Sequence, residues 1–161
     1  MARWMVMAAL ILATGAATPA WADDHEDCDN GATLAKTEPA RVFAACRRLA
    51  EQGGAAEESH LGFMYANGLG VAQDYAAAAK WFRKAADQGY ATAQNNLGMM
   101  YATGHGVAKD LVQAHMLFDL SAAQGNANAA KNRDFLATKM TPSQIKKAQA
   151  LAAAWKPTKG Q

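Results

Sequence analysis

Two cysteines and four histidines are the residues of this 161-residue chain best suited to metal binding or covalent chemistry. One histidine is notable for its position, because cleavage after Ala22 would make Asp23, Asp24 and His25 the amino terminus. A free amine, two backbone amide nitrogens and a third-position imidazole form a square-planar set, which copper(II) or nickel(II) prefers. A copper-binding amino terminus is therefore one hypothesis, and it depends on a single cleavage position.

Cys28 and Cys46 are the only cysteines. An oxidising compartment would let them close into a disulfide, which over this separation contributes about 3 kcal/mol in the loop-entropy model. Two free thiols, or bridges to a partner, are the alternatives. A redox-active pair is disfavoured, because the cysteines lack the Cys-x-x-Cys spacing that lowers a thiol pKa.

The first 22 residues have the layout of a secretory signal peptide. Arg3 is followed by an apolar run over residues 4–13, then Pro19 and the small-residue pattern Ala20-Trp21-Ala22. The run is shorter than the roughly 20 residues that span a bilayer, so we predict export and no membrane span in the mature chain. Residues 23–37 are expected to be a poorly ordered, solvated acidic leader.

The charge balance argues against nucleic acid as a partner. Removing residues 1–22 leaves 139 residues with 15 cations and 14 anions, and no long basic run occurs. Nucleic-acid binding usually requires a concentrated basic face.

An internal repeat organises the chain. Residues 55–90 align without a gap on residues 91–126, and 16 of the 36 positions are identical. A fixed period of this size indicates stacked supersecondary units, none of which can bury its apolar face alone.

Each unit is predicted to contain two antiparallel helices. In the first unit Leu61 and Met64 recur at helical spacing, and Gly68 should end that helix. Asp74 can cap a second helix through its carboxylate. The second helix then carries an apolar stripe, formed by Ala78, Trp81, Phe82, Ala85 and Ala86.

The pattern continues on both sides of the two full units. Residues 38–54 form a partial unit whose helix begins at Pro39, and residues 127–140 take the register of another first helix. Thr141, Pro142 and Gln144 are typical of a helix start, so residues 141–156 are predicted to be a capping helix. Residues 157–161 are expected to be a loose tail.

The segment LGFMYANGLGVAQDYAAAAKWFRKAADQG, which recurs in tandem, resembles the Sel-like repeat (SLR) family, a relative of the tetratricopeptide repeat. The resemblance covers residues 38–140. It implies an all-α, right-handed solenoid of antiparallel helix pairs whose first helices line a concave face, used as a scaffold for protein partners.

Some exported members are linked to penicillin binding and β-lactam hydrolysis, but those carry a cysteine pair in each repeat. This chain has no cysteine after Cys46. A β-lactam-binding or hydrolysing protein is thus only an alternative to the adaptor.

The outward rows of the first helices are the predicted site for a protein or peptide partner. An apolar stripe of Phe63, Met99 and Phe135 on the surface would mark a contact site, and burial between neighbouring helices is the alternative. The predicted partner-binding residues are Ser59, Phe63, Asn67, Asn95, Met99, Thr103, Lys131 and Phe135, and Lys139 continues the same rows.

No catalytic residue and no cofactor are predicted. His60, His105 and His115 align with Asn96, Leu69 and Ala79 in the other unit, so the repeat does not require them. We expect all three to be solvated. The sequence also lacks the Gly-x-Ser-x-Gly, Walker and zinc-ligand patterns.

Overall fold

The computed structural model describes Asp24, Asp27, Cys28 and residues 38–158. Residues 38–158 form seven helices and no strand. The helices are α1 (Pro39–Ala50), α2 (Ala55–Asn67), α3 (Tyr75–Asp87), α4 (Ala91–Thr103), α5 (Leu111–Ala123), α6 (Ala127–Ala137) and α7 (Pro142–Ala154). The predicted signal peptide, residues 1–22, lies outside the described residues.

The all-α solenoid is confirmed. Helices α2 and α3 form one unit, α4 and α5 form the next, and each helix from α1 to α5 packs on the one that follows it. The chain alternates in this way because each amphipathic helix can bury its apolar stripe only against its neighbours. Within the described part of the chain, none of the helices has the length and apolar character needed to cross a membrane.

Local signals set the helix ends as expected. The backbone at Gly68 and Gly104 is left-handed, which ends α2 and α4. Asp74 and Asp110 then accept hydrogen bonds from the first-turn amides of α3 and α5. Such a cap satisfies amide groups that have no partner within the helix.

A glycine on each first helix allows the second helix to approach closely. A Cβ atom placed on Gly62 would lie 2.8 Å from the ring of Phe82, and one placed on Gly98 would lie 2.7 Å from the ring of Phe118. Both separations are shorter than a van der Waals contact. The two helices of each unit therefore meet at a glycine and a phenylalanine ring.

A second pair of glycines joins successive units. Gly70 and Gly106 both have positive φ, at 70° and 71°. A Cβ atom on Gly106 would overlap the carbonyl of Tyr75, and one on Gly70 would overlap that of Pro39. The turn that follows each first helix therefore packs against the backbone of the first residue of the preceding unit's second helix.

The carboxyl-terminal helix departs from the alternation. Thr141 and Gln144 form the predicted capping box at its start, but α7 then packs on α5. The chain beyond α7 is not loose where it is described, because the Thr158 amide donates to the Asp87 carbonyl at 2.7 Å. The expectation of a loose tail is wrong at Thr158.

In both units a buried polar side chain on the first helix accepts a hydrogen bond from a glutamine that follows the second helix. Gln88 donates to Glu58 at 2.7 Å in the first unit, and Gln124 donates to Gln94 at 2.8 Å in the second. Burial raises the pKa of the Glu58 carboxyl, although Lys84 and the bond from Gln88 oppose this effect. The first unit therefore buries an ionisable group where the second buries a neutral amide.

Substituting Gly98→Ala should lower stability by about 1–3 kcal/mol, the usual cost of overpacking a core. The loss is expected although alanine favours a helix over glycine by about 1 kcal/mol. Urea denaturation would measure it. In the double variant with Phe118→Leu, the smaller side chain should make the loss less than the sum of the two single changes. A neutral or stabilising effect of Gly98→Ala would contradict the close contact.

Substituting Glu58→Gln should stabilise the protein at neutral pH, within the range of about 0.5–2 kcal/mol seen for single stabilising changes. The folded-state pKa of Glu58 is raised, so the destabilising effect of its charge is absent below the unfolded-state pKa. It appears as pH rises through the folded-state pKa. The difference between variant and wild type should therefore vanish in acid. The reciprocal Gln94→Glu should destabilise at neutral pH and recover on acidification, and a pH-independent pair of effects would refute this account.

Candidate functional site

Three exposed apolar side chains form a row along the first helices. Phe63 is 51% exposed, Met99 46% and Phe135 64%. They occupy the same position in α2, α4 and α6, 36 residues apart. Of the two interpretations of these side chains, the structure supports exposure and excludes burial. We call Phe63, Met99 and Phe135 the apolar row.

The geometry of α2 explains why the row faces outward. Leu61, Gly62 and Met64 are buried against the neighbouring helices. Successive residues of an α-helix are about 100° apart, so Phe63 lies about 200° from Leu61. The same inward contacts that form the core direct this one large side chain toward solvent.

Short polar residues on one side of the row are already hydrogen-bonded to the backbone. The Asn67 side chain donates to the Phe63 carbonyl at 2.8 Å, and the Thr103 hydroxyl donates to the Met99 carbonyl at 2.9 Å. Both residues are exposed. They form a polar border beside the row.

The prediction that Ser59 lines an open groove is wrong, because Ser59 is only 3% exposed. Its equivalent in the next unit, Asn95, shows the reason. Asn95 is half-buried and accepts a hydrogen bond from Asn132 of the following unit at 3.0 Å. Ser59 and Asn95 therefore face the neighbouring first helix. Helical spacing alone does not reveal this contact.

The row becomes positively charged toward its carboxyl-terminal end. Lys131 and Lys139 are exposed on either side of Phe135 in α6. The Lys139 ammonium lies 4.5 Å from the centre of the Phe135 ring, a cation–π arrangement. The equivalent positions in the first two units carry no charge.

The three predicted surface histidines differ in their surroundings. His105 is exposed and stacks on Tyr75, with ring centres 5.1 Å apart. His115 was expected to be solvated, but it is only 2% exposed and its Nδ1 lies 3.0 Å from an Asp119 oxygen. The expectation is wrong because α5 packs against α4, α6 and α7 at once. The sequence offered one signal: the residue equivalent to His115 is Ala79, a small apolar residue, and Ala79 is also buried.

The two cysteines form a disulfide, with Cα atoms 4.9 Å apart. Both are buried, and Cys28 Sγ lies 3.8 Å from His60 Nδ1 on α2. Asp27 is held beside the disulfide by both carboxylate oxygens, which accept from Arg41 at 2.7 and 2.9 Å. Asp24 pairs with Arg48 in the same way.

The expectation of a solvated acidic leader is therefore wrong at the residues that are described. Asp24 and Asp27 are each 7% exposed, and Asp24, Asp27 and Cys28 are helical. Cys28 lies 36 residues before Met64, and it packs with Val42, Cys46 and Leu49 of α1, the position that a residue of a preceding first helix would take. Asp23 and His25 lie outside the described residues, so the copper site stays a prediction.

The sequence matches the Sel1 repeat family over residues 58–90 and 91–126. None of the curated protein sequences compared with the chain matches it. Among solved structures, the chain is similar to a protective antigen of uropathogenic Escherichia coli that displays an SLR fold. That likeness has a TM-score of 0.76 at 33% identity over 82% of this chain.

A Sel1 repeat protein from Oxalobacter formigenes is also similar, with a TM-score of 0.64 and 27% identity over 81% of this chain. The matched region spans only 29% of the Escherichia coli antigen and 54% of the Oxalobacter protein. Sel1 repeat proteins are generally non-enzymatic scaffolds, and the fold suggests a protein-interaction module. The chain is thus a helical repeat protein that carries two tandem Sel1 repeats.

Proposed function

We propose that this protein is an exported adaptor that binds a protein or peptide on the face formed by α2, α4 and α6. The apolar row carries the proposal. Of the four large hydrophobic side chains exposed in the described residues, three lie in this row, and Tyr75 on α3 is the fourth. They recur at 36-residue spacing on successive first helices, and exposed apolar surface of this kind marks a contact site.

The partner is best matched by a segment with apolar residues along one side. An amphipathic helix or an extended peptide could place successive apolar side chains against Phe63, Met99 and Phe135, as in known modes of peptide recognition. Lys131 and Lys139 favour a carboxylate on the partner next to the residue that contacts Phe135. The bound segment would then have one orientation along the row.

Export is supported by the sequence of residues 1–22 and by the cysteine pair. Disulfides persist mainly in oxidising compartments such as a bacterial periplasm or the extracellular space. A periplasmic location is our proposal, with release from the cell as the alternative. Mass spectrometry of the exported protein would test cleavage after Ala22, and an intact amino terminus would contradict export by this route.

Replacing Phe63 and Met99 by Ala should abolish partner binding while the melting temperature stays nearly unchanged. Substitutions at exposed sites usually change stability by no more than about 0.5 kcal/mol. A photo-crosslinking residue at position 135 would identify the partner, and its affinity for the purified variants would then be measured. Tyr75→Ala is the matched control, because Tyr75 is exposed and aromatic but lies outside the row. Full binding by the double variant, or a large loss of stability, would refute the proposed surface.

Replacing Lys131 and Lys139 by Gln should weaken binding of the same partner, and it should flatten the dependence of affinity on salt. Added salt screens attraction between exposed charges over about 10 Å at 0.1 M ionic strength. Lys80→Gln is the control, because Lys80 is an exposed lysine on α3. Equal salt dependence in the lysine variant and the wild type would rule out a carboxylate at this end of the row.

A further inference from the structure

The disulfide and a neighbouring histidine form a compact group of metal-ligating atoms. The Sγ atoms of Cys28 and Cys46 and a ring nitrogen of His60 all lie within 4.8 Å of one another. Both cysteines are buried, at 1% and 0% exposure. The group joins three separate parts of the chain: the amino-terminal segment, α1 and α2.

The distances in this group are close to those of a zinc site. Zinc binds thiolate sulfur at about 2.3 Å and imidazole nitrogen at about 2.0–2.1 Å in a tetrahedron, which places two sulfurs about 3.8 Å apart and sulfur and nitrogen about 3.5 Å apart. Cys28 Sγ and His60 Nδ1 are already 3.8 Å apart. The two sulfurs must separate by less than about 2 Å, and Cys46 Sγ, which lies within 4.8 Å of the imidazole nitrogen, must come to about 3.5 Å from it. Rotation of the cysteine side chains can supply both movements.

All three residues depart from the pattern of the full repeats. The equivalent of Cys28 is Met64, that of Cys46 is Phe82, and that of His60 is Asn96. The repeat therefore requires neither the sulfurs nor the imidazole at these positions. A soft ligand set of two thiolates and one imidazole favours zinc over magnesium or calcium.

We propose that the reduced protein binds one zinc ion through Cys28, Cys46 and His60 Nδ1, with water as the fourth ligand. A dithiol reductant supplies two electrons, the S–S bond breaks, and the two cysteine sulfurs become thiols while the reductant forms its own disulfide. Each thiol releases its proton when it binds the metal. A disulfide oxidant reverses the step: it takes two electrons from the two thiolates and two protons from solvent to become a dithiol, while the Cys28–Cys46 bond re-forms and the ion leaves. Disulfide and zinc therefore exclude each other.

Cobalt(II) is a suitable probe, because its thiolate complexes absorb in the near ultraviolet and zinc displaces it. The full chain would be reduced with a phosphine, freed of excess reductant without oxygen and titrated with cobalt(II), then with zinc. We expect one cobalt ion per chain, loss of its absorption on adding zinc, and a higher melting temperature for the reduced protein with zinc. Equal binding by the oxidised protein, or no cobalt band after reduction, would overturn the proposal.

The substitution His60→Asn tests the imidazole directly, because asparagine is the residue of the second unit at this position. It should weaken zinc binding about a hundredfold or more. Loss of a residue that only supports a metal ligand costs about 10- to 100-fold in affinity, and loss of a ligand itself should cost at least as much. The melting temperature of the oxidised protein should change little, and His105→Asn should leave zinc binding unchanged. Unaltered affinity in His60→Asn would overturn the proposal. So would equal cobalt binding in a denaturant, since the site requires the fold.

Discussion

The close contact between a glycine on each first helix and a phenylalanine ring on the second sets the geometry on which the rest of the structure depends. Gly62 and Gly98 leave no side chain between the helices, so Phe82 and Phe118 lie directly over the backbone. Each ring fixes the rotation of the first helix about its axis. Because that rotation is fixed, Leu61 must point inward and Phe63 outward.

The repeated contact also explains why the outward residues form a surface. A solenoid keeps the same orientation from one unit to the next only if the packing within each unit is the same. Met99 therefore points outward from α4 as Phe63 does from α2, and both are about half exposed. On the first helices the inward residues Leu61, Gly62 and Met64 recur as Leu97, Gly98 and Met100, whereas the outward Phe63 and Asn67 are replaced by Met99 and Thr103.

Much of the fold could be predicted from the sequence because its signals are local. Asp74 caps the helix that begins beside it, and Gly68 ends the helix that precedes it. Ser59 and His115 were misplaced for the opposite reason. Their burial depends on helices from other parts of the chain, and helical spacing shows only which side of one helix a residue occupies.

The candidate site follows the same division: features set by the register of one helix could be predicted, and features set by contacts between helices could not. The exposure of Phe135 follows from its register in the repeat, but the covering of Ser59 depends on how neighbouring first helices approach. The group around His60 could not be found by a search for zinc-ligand spacing, because Cys28 and Cys46 are 18 residues apart. Only the packing of Cys28 against α1 and α2 brings the three side chains together.

The stack of helices carries different features at its two ends, a disulfide beside α1 and the extra helix α7 at the carboxyl-terminal end. The position of α7 leaves the face of the first helices exposed. Beside α1 a disulfide takes the place of a methionine and an aromatic ring, and a covalent cross-link replaces their side-chain packing. At the other end α7 packs on α5, a second helix, and so closes the second-helix side. Because α7 does not cover the outer side of α6, Phe135 remains exposed, and none of the helices over residues 38–158 buries Phe63, Met99 or Phe135.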